Sequence, residues 1–265
     1  MNRSGFPLVS VYIPSFNHEK FIADALNSVV WQDYPNIELV VIDDASTDGS
    51  WEVIQDWVAV NGEGLKIKAH RHEQNQGITK TLNELVGLCS GKYLVGIASD
   101  DYLLSGSVAK RVGYLEDNLD KGAVFGDCIV INERGGVLHQ SGLSQLYSMD
   151  KSKLSGAQLG KELITNWGVP GGTLMVRRDV HEVIKFDSGL LVEDFDFYLK
   201  LLAKRLLGYM DESVSAYRLH ESNTSRVSSF SVRRKVDFIR SVFNNIWSFP
   251  ISCWPWFVKA LINRI

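Results

Sequence analysis

Over its first hundred residues the chain alternates between two hydrophobic periods. Strand-length segments at residues 8–14, 37–43, 65–71 and 93–98 are separated by stretches in which apolar side chains return every three or four positions. The first of these stretches, 19–31, puts Phe21, Ile22, Ala25, Leu26 and Val29 on one stripe. A second carries Trp51, Ile54 and Val58 behind a Ser46-Thr47-Asp48 cap, and a third runs through Leu82, Leu85 and Leu88 to Gly91. Asp33-Tyr34-Pro35-Asn36 and Asn75-Gln76-Gly77 read as turns. Strands alternating with helices predict an α/β fold with a mostly parallel central sheet and right-handed crossovers.

From about residue 122 the rhythm changes. Strands are expected at 123–131 and 172–176, then a helix over 194–204 and a short strand near 213–219. The tail from Ser229 onward reads as one or two amphipathic helices broken at Pro250 and Pro255. At 265 residues the chain is long enough to bury a full core. Its 45% hydrophobic and 22% charged content is ordinary for a globular protein. Charge placement says more than the net value of −3, because residues 226–265 hold seven Lys/Arg and a single acid, Asp237. Cys89, Cys128 and Cys253 are widely spaced, with no C-x-x-C, which argues against a disulfide framework or structural zinc and fits a reducing compartment. No secretory signal and no apolar window of about 20 residues is present, so a cytoplasmic location is expected.

Three acidic pairs carry the candidate chemistry. Asp43-Asp44 close the second strand segment, Asp100-Asp101 follow the fourth, and Glu193-Asp194 precede the helical pattern of Phe195, Tyr198, Leu199 and Leu202. Open α/β sheets bind ligands outside the carboxyl ends of their strands. Four carboxylates gathered there repel one another unless a cation or polar ligand holds them, which points to a metal–nucleotide site. Taken singly, each pair also suits a turn or a helix N-terminus.

The segments VSVYIPSFNHEKFIADALNSVVWQDYPNIELVVIDDASTDGS, NQGITKTLNELVGLCSGKYLVGIASDD, GGTLMVRRDV, FDSGLLVEDFDFYLKLL and YRLHESNTS together resemble, in order, the inverting family 2 glycosyltransferases of glycosyltransferase A-type fold. The resemblance spans roughly residues 7–225. It implies a Rossmann-like, mostly parallel central sheet flanked by helices, forming a catalytic domain over 1–225. Residues 226–265 are then a basic, aromatic-rich helical C-terminal tail.

The resemblance also assigns expected roles. Asp44 would accept the N3–H of a uracil ring, with Asp43 supporting the loop or reaching the ribose, and Pro14, Ser15 and Phe16 would line the base pocket. Where the family has D-x-D, this chain reads Ser99-Asp100-Asp101. Asp101 is expected to bind Mn²⁺ or Mg²⁺, and Asp100 to touch the ribose or a metal-bound water. Asp194 would be the general base, with Glu193 orienting it or the acceptor. His220 is expected at the metal and Arg218 at the diphosphate, in the motif that ends with Ser225. Lys80 either reaches the nucleotide or is solvated helix surface. Asn166, Trp167, Gly171 and Gly172 are expected toward the acceptor, with Trp167 either stacking on a sugar or filling core.

The implied activity is metal-dependent inverting transfer from a nucleotide-sugar donor, expected to be UDP-linked, to a hydroxyl of a glycan or lipid-linked saccharide. Surface-polysaccharide or glycolipid synthesis is the expected setting. A polyprenyl phosphate acceptor and a degenerate nucleotide-binding scaffold are the alternatives. In the tail, Arg233, Arg234, Lys235 and Arg240 combine with Phe238, Phe243 and Trp247. That pattern suits peripheral contact with the inner face of a membrane, packing on the catalytic domain, or a second subunit. No nucleic-acid partner is expected, because no binding module accompanies the basic patch.

Overall fold

In the computed structural model, which describes residues 5–221, 223 and 231–264, strands β1 (Val9–Ser15) and β2 (Ile37–Asp43) pair in parallel from Val9↔Ile37 to Ser15↔Asp43. Both faces of the pair are covered, which is why these strands are nearly continuous apolar runs. Val9, Val11, Ile13, Leu39 and Val41 pack beneath α1 (Ile22–Val30) and α2 (Ser50–Asn61). Tyr12, Val40 and Ile42 enter the opposite layer with Leu85 and Val86 of α3 (Ile78–Leu88). Strands β3 (Lys66–Arg71) and β4 (Tyr93–Gly96) flank the pair, again in parallel.

Beyond β4 the sheet becomes mixed, at the point where the sequence rhythm changes. Strand β5 is Tyr102–Leu103, β6 Ala123–Asn132, β7 Val137–His139, β8 Leu174–Arg177 and β9 Leu207–Leu219. The order is β3-β2-β1-β4-β8-β6-β9-β5, with β7 pairing on β6. β8 runs antiparallel to β4 and β6, while β6 and β9 are parallel. β9 begins at Leu207 rather than near 213, because Leu207–Tyr209 extends the ladder beside Ala123–Phe125.

Helix α4 (Ser107–Asp117) was not expected, for a physical reason. Its inner face carries Val108, Val112 and Leu115 but also the fully buried Arg111, which interrupts the apolar stripe. Arg111 donates to Ser107 O at 3.1 Å and to Ser107 Oγ at 3.2 Å. Helices α5 (Leu159–Thr165) and α6 (Arg178–Val183) are too short to show a period. Then come α7 (Glu193–Ala203), α8 (Ser231–Asn245) and α9 (Trp254–Arg264). Pro255 starts α9 instead of breaking a helix, since a first-turn proline loses no intrahelical bond. Phe195 and Leu199 of α7 share a core with Phe238, Val242, Phe257 and Ala260 of α8 and α9. Asp196 accepts the Asn245 amide at 2.7 Å across the same contact. The boundary expected at 225/226, and Ser225 itself, lie outside the described residues.

His181 of α6 is buried between Phe197 and Phe186, at ring distances of 5.0 and 5.8 Å, and neither ring nitrogen has a hydrogen bond of normal geometry among the described residues. Burial lowers its pKa from 6.5 to about 4. The unfolded chain therefore takes up a proton that the folded chain refuses, and stability falls as pH drops from about 6.5 toward 4. His181→Phe should retain more stability than the parent at pH 5, by on the order of 1 kcal/mol in urea unfolding, with a smaller gap at pH 8.

Candidate functional site

The carboxyl ends of β1, β2 and β4 open on the same side of the sheet. Asp43 and Asp44 serve different loops there. Asp43, fully buried, accepts Ser46 N–H at 2.9 Å and the Ser46 hydroxyl at 2.5 Å, with Arg71 Nε 3.5 Å away. Asp44 reaches across to the entry of α3: Oδ1 accepts Gln76 N–H at 2.8 Å and Oδ2 accepts Gly77 N–H at 2.9 Å. Gly77 sits at φ 85°, a conformation glycine adopts without steric cost. His72 Nδ1 lies 2.7 Å from the same Asp44 carboxylate. Burial opposes protonation of His72, yet its hydrogen bonds to Asp44 and Glu84 raise its pKa above the ordinary value. A carboxylate has roughly four acceptor positions, so Asp44 keeps about one for a ligand.

Ser15 stands at the same end of the sheet, giving its carbonyl to Asp44 N–H at 2.8 Å, and its buried hydroxyl has no partner among the described residues. Pro14 is half-buried and Phe16 exposed at the rim. Lys80 is exposed on the first turn of α3, directly after the loop that Asp44 holds.

The second acidic pair closes a turn in which Asp101 N–H donates to Ala98 O at 3.1 Å. Asp100 Oδ2 lies 2.9 Å from His220 Nε2 and 3.9 Å from His18 Nε2, and His18 Nδ1 is 2.8 Å from Ser99 Oγ. One ligand atom from each of His18, Asp100 and His220 falls within 4.8 Å of the others. Asn223 braces the group, donating to Asp100 Oδ2 at 3.3 Å and to Arg218 O at 3.0 Å. Burial pushes the Asp100 carboxyl up, but the His220 hydrogen bond and the charges of His18 and His220 bring it below its usual value. Burial lowers His18 against the opposing pull of Asp100, which favours the neutral, lone-pair-bearing imidazole.

Asp101 and Arg218 are held inward by this geometry. Asp101, expected as the metal ligand, is buried and accepts Arg218 N–H at 2.8 Å, and it is Asp100 that joins His220. Burial and the neighbouring Asp100 push Asp101 well above the usual carboxylate range. Arg218, expected at a diphosphate, is only 2% exposed. Its guanidinium donates to Asp100 O at 2.8 Å, to Glu133 O at 3.0 Å and to the Asp24 carboxylate at 2.7 Å. It buttresses the turn from behind. His18, Asp24 and Asn223 were not singled out from sequence. Of these, His18 follows the carboxyl end of β1, but only its partner His220, far along the chain, gives that position a meaning.

Glu193 and Asp194 open α7, half-buried. Burial and the Asp194 charge raise Glu193 to about 8. Burial raises Asp194 to about 6, against the Phe195 N–H bond of 2.7 Å and the nearby Arg264 cation. Tyr147 feels the Asp194 charge and is hydrogen-bonded to Tyr217, the residue before Arg218 on β9. Trp167 packs on Phe195 and Tyr198, with ring centroids 5.3 and 4.8 Å apart, and belongs to the core. Asn166 donates to Glu162 at 3.1 Å. Gly171 is exposed, whereas Gly172 is pressed against Ile97 and Ser215 with no room for a Cβ.

Residues 10–184 match the family described as Glycosyl transferase family 2. The putative teichuronic acid biosynthesis glycosyltransferase TuaG of Bacillus subtilis is 27% identical over 226 residues, covering 83% of this chain and 82% of its own length. Several other curated relatives are longer, and the chain spans only 32–35% of them. Among solved structures, S. aureus TarS 1-349 in complex with UDP superposes with a TM-score of 0.69 at 20% identity, covering 97% of this chain and 71% of that one. The mannosyltransferase PcManGT from Pyrobaculum calidifontis, in complex with GDP-Man and Mn²⁺, gives 0.72 at 18% identity, covering 98% and 70%. These likenesses establish the glycosyltransferase A-type fold.

A carboxyl whose folded pKa is raised costs stability once pH exceeds its unfolded value, and nothing below it. Glu193→Gln should therefore raise the melting temperature at pH 7.5 by roughly 2–4 °C and leave it unchanged near pH 4. Calorimetric scans at the two pH values test this directly.

Proposed function

The chain belongs to glycosyl transferase family 2, and on that premise we propose that it transfers a hexosyl or N-acetylhexosaminyl group from a UDP-linked donor to an acceptor hydroxyl, with inversion. The observation that carries the reading is the convergence of His18, Asp100 and His220 at the carboxyl end of the sheet. Two imidazoles and one carboxylate fit a divalent ion, and Mn²⁺ suits that donor set better than Mg²⁺, which prefers an all-oxygen shell. When bound, such an ion neutralises charge developing on the leaving diphosphate.

Asp44 offers its remaining acceptor position to the imide N–H of uracil, while Pro14, Ser15 and Phe16 border the same pocket. At neutral pH Glu193 keeps its proton and Asp194 is ionised. Asp194 takes the proton of the acceptor hydroxyl as that oxygen attacks the anomeric carbon opposite the departing nucleotide. A single displacement of this kind inverts the anomeric centre and needs no covalent intermediate. The neutral Glu193 donates a hydrogen bond that orients the acceptor. The TuaG relative, named for teichuronic acid biosynthesis, supports a cell-envelope glycan as product.

Calorimetric titration should show UDP binding that depends on Mn²⁺, is abolished by EDTA and is preferred over GDP. Asp100→Ala and His220→Ala should lose the Mn²⁺ dependence. UDP affinity equal in Mn²⁺ and EDTA would contradict the metal assignment. Asp194→Asn should lower transfer by about 10²–10⁴-fold without weakening UDP binding. For the parent, kcat/KM should rise with pH through an apparent pKa near 6, as Asp194 loses its proton.

A further inference from the structure

His72 follows β3 at the carboxyl end of the sheet and stands between two carboxylates from different elements. Its Nδ1 lies 2.7 Å from Asp44 Oδ1, just past β2, and its Nε2 lies 3.1 Å from Glu84 Oε2 on α3. A carboxylate oxygen offers only lone pairs, so each contact needs an N–H on the imidazole. A neutral ring has one N–H and can satisfy one carboxylate. Only the imidazolium satisfies both, and its charge strengthens both bonds. The raised pKa of His72 agrees with this geometry. The His72 and Asp44 side chains are 12% and 6% exposed, so their contact is largely shielded from water and salt.

The charges that act on the ring are those of Asp44 and Glu84. Its neighbours in the chain face elsewhere or outward. Arg71 donates to Ser46 O at 2.9 Å and lies 3.5 Å from Asp43, while Glu73 and Lys80, one turn before Glu84 on α3, are exposed.

What the ring holds is the acceptor geometry of Asp44. Oδ1 takes both His72 and the Gln76 N–H at 2.8 Å, and Oδ2 takes the Gly77 N–H at 2.9 Å. The Asp44 carbonyl also accepts the Asn75 amide at 3.2 Å. With Oδ1 saturated, the free lone pair is on Oδ2 and has a fixed direction. A fixed carboxylate acceptor tells an imide N–H from a ring lone pair, and so tells uracil from cytosine.

We propose that His72, in its doubly protonated form, is the positioning residue that fixes Asp44 for the nucleobase and makes donor binding depend on the imidazole proton. The proposal rests on the transferase reading, in which Asp44 meets the imide of uracil. The ring acts through Asp44 rather than on the donor itself. Donor affinity is full while the ring carries both protons and falls as pH rises through its midpoint, which lies above 6.5.

Two measurements on the full chain test this. In NMR titration the His72 midpoint should lie above that of an ordinary histidine, and Glu84→Gln should lower it by removing one of the two carboxylates that favour the imidazolium. The second is calorimetric titration of UDP with Mn²⁺ present, comparing the parent with His72→Asn, which keeps a neutral donor but cannot be charged. The parent should bind UDP about tenfold more tightly near pH 6, and this ratio should fall toward one by about pH 9. The diphosphate and the metal ligands titrate in both proteins and drop out of the ratio. His72→Phe, with no donor at all, should lose at least about tenfold in UDP affinity near pH 6 while keeping its affinity for Mn²⁺. A ratio near one at every pH, or a His72 midpoint that Glu84→Gln leaves unmoved, overturns the proposal and leaves the uracil reading of Asp44 standing. A folded parent that binds UDP and CDP equally, or neither, removes the uracil reading itself, and the proposal falls with it.

Discussion

Two adjacent buried carboxylates, Asp100 and Asp101, impose the constraint around which the rest of the site is arranged. Side by side and out of water, they cannot both be ionised unless positive groups meet them. The fold meets the two in different ways. Asp100 receives His220 and His18, with Arg218 on its carbonyl. Asp101 receives the Arg218 backbone N–H and is pushed toward its neutral form by burial and the neighbouring Asp100. One carboxylate is thereby kept anionic at the crevice while its neighbour becomes part of the core. This division also fastens the chain's two halves together, since His18 and Asp24 come from the α1 region and Arg218 and His220 from the far end of β9.

Much of this was legible in the sequence, and what was not has definite causes. β1 and β2 were readable because burial on both faces leaves continuous apolar runs, and each run's end marked where ligand chemistry could sit. Two of the acidic pairs were visible as the ends of such runs. Which of two neighbouring carboxylates meets His220 was not readable, because successive side chains diverge and Asp101 is taken by Arg218 N–H, 117 residues away. His18 carried no pattern of its own. Its meaning comes from a partner on β9 that no local spacing reveals. α4 was hidden by Arg111, a buried guanidinium on an otherwise apolar face.

The Glu193-Asp194 pair shows the same economy of placement by different means. Burial raises both carboxyls, and the Asp194 charge raises Glu193 further. The helices that continue past β9 pack on α7 immediately beside this pair, so the tail's inner face steadies the site while its outer face remains available.

The central claim is that Asp100 and His220, with His18, form the metal–diphosphate end of the site. The most direct measurement is anomalous diffraction at the manganese edge from crystals grown with UDP and MnCl₂. A single peak coordinated by Asp100 and His220, and touching the diphosphate, is the result this account predicts. Manganese bound through Asp101 in place of Asp100, or a diphosphate seated with no manganese near His220, would contradict it.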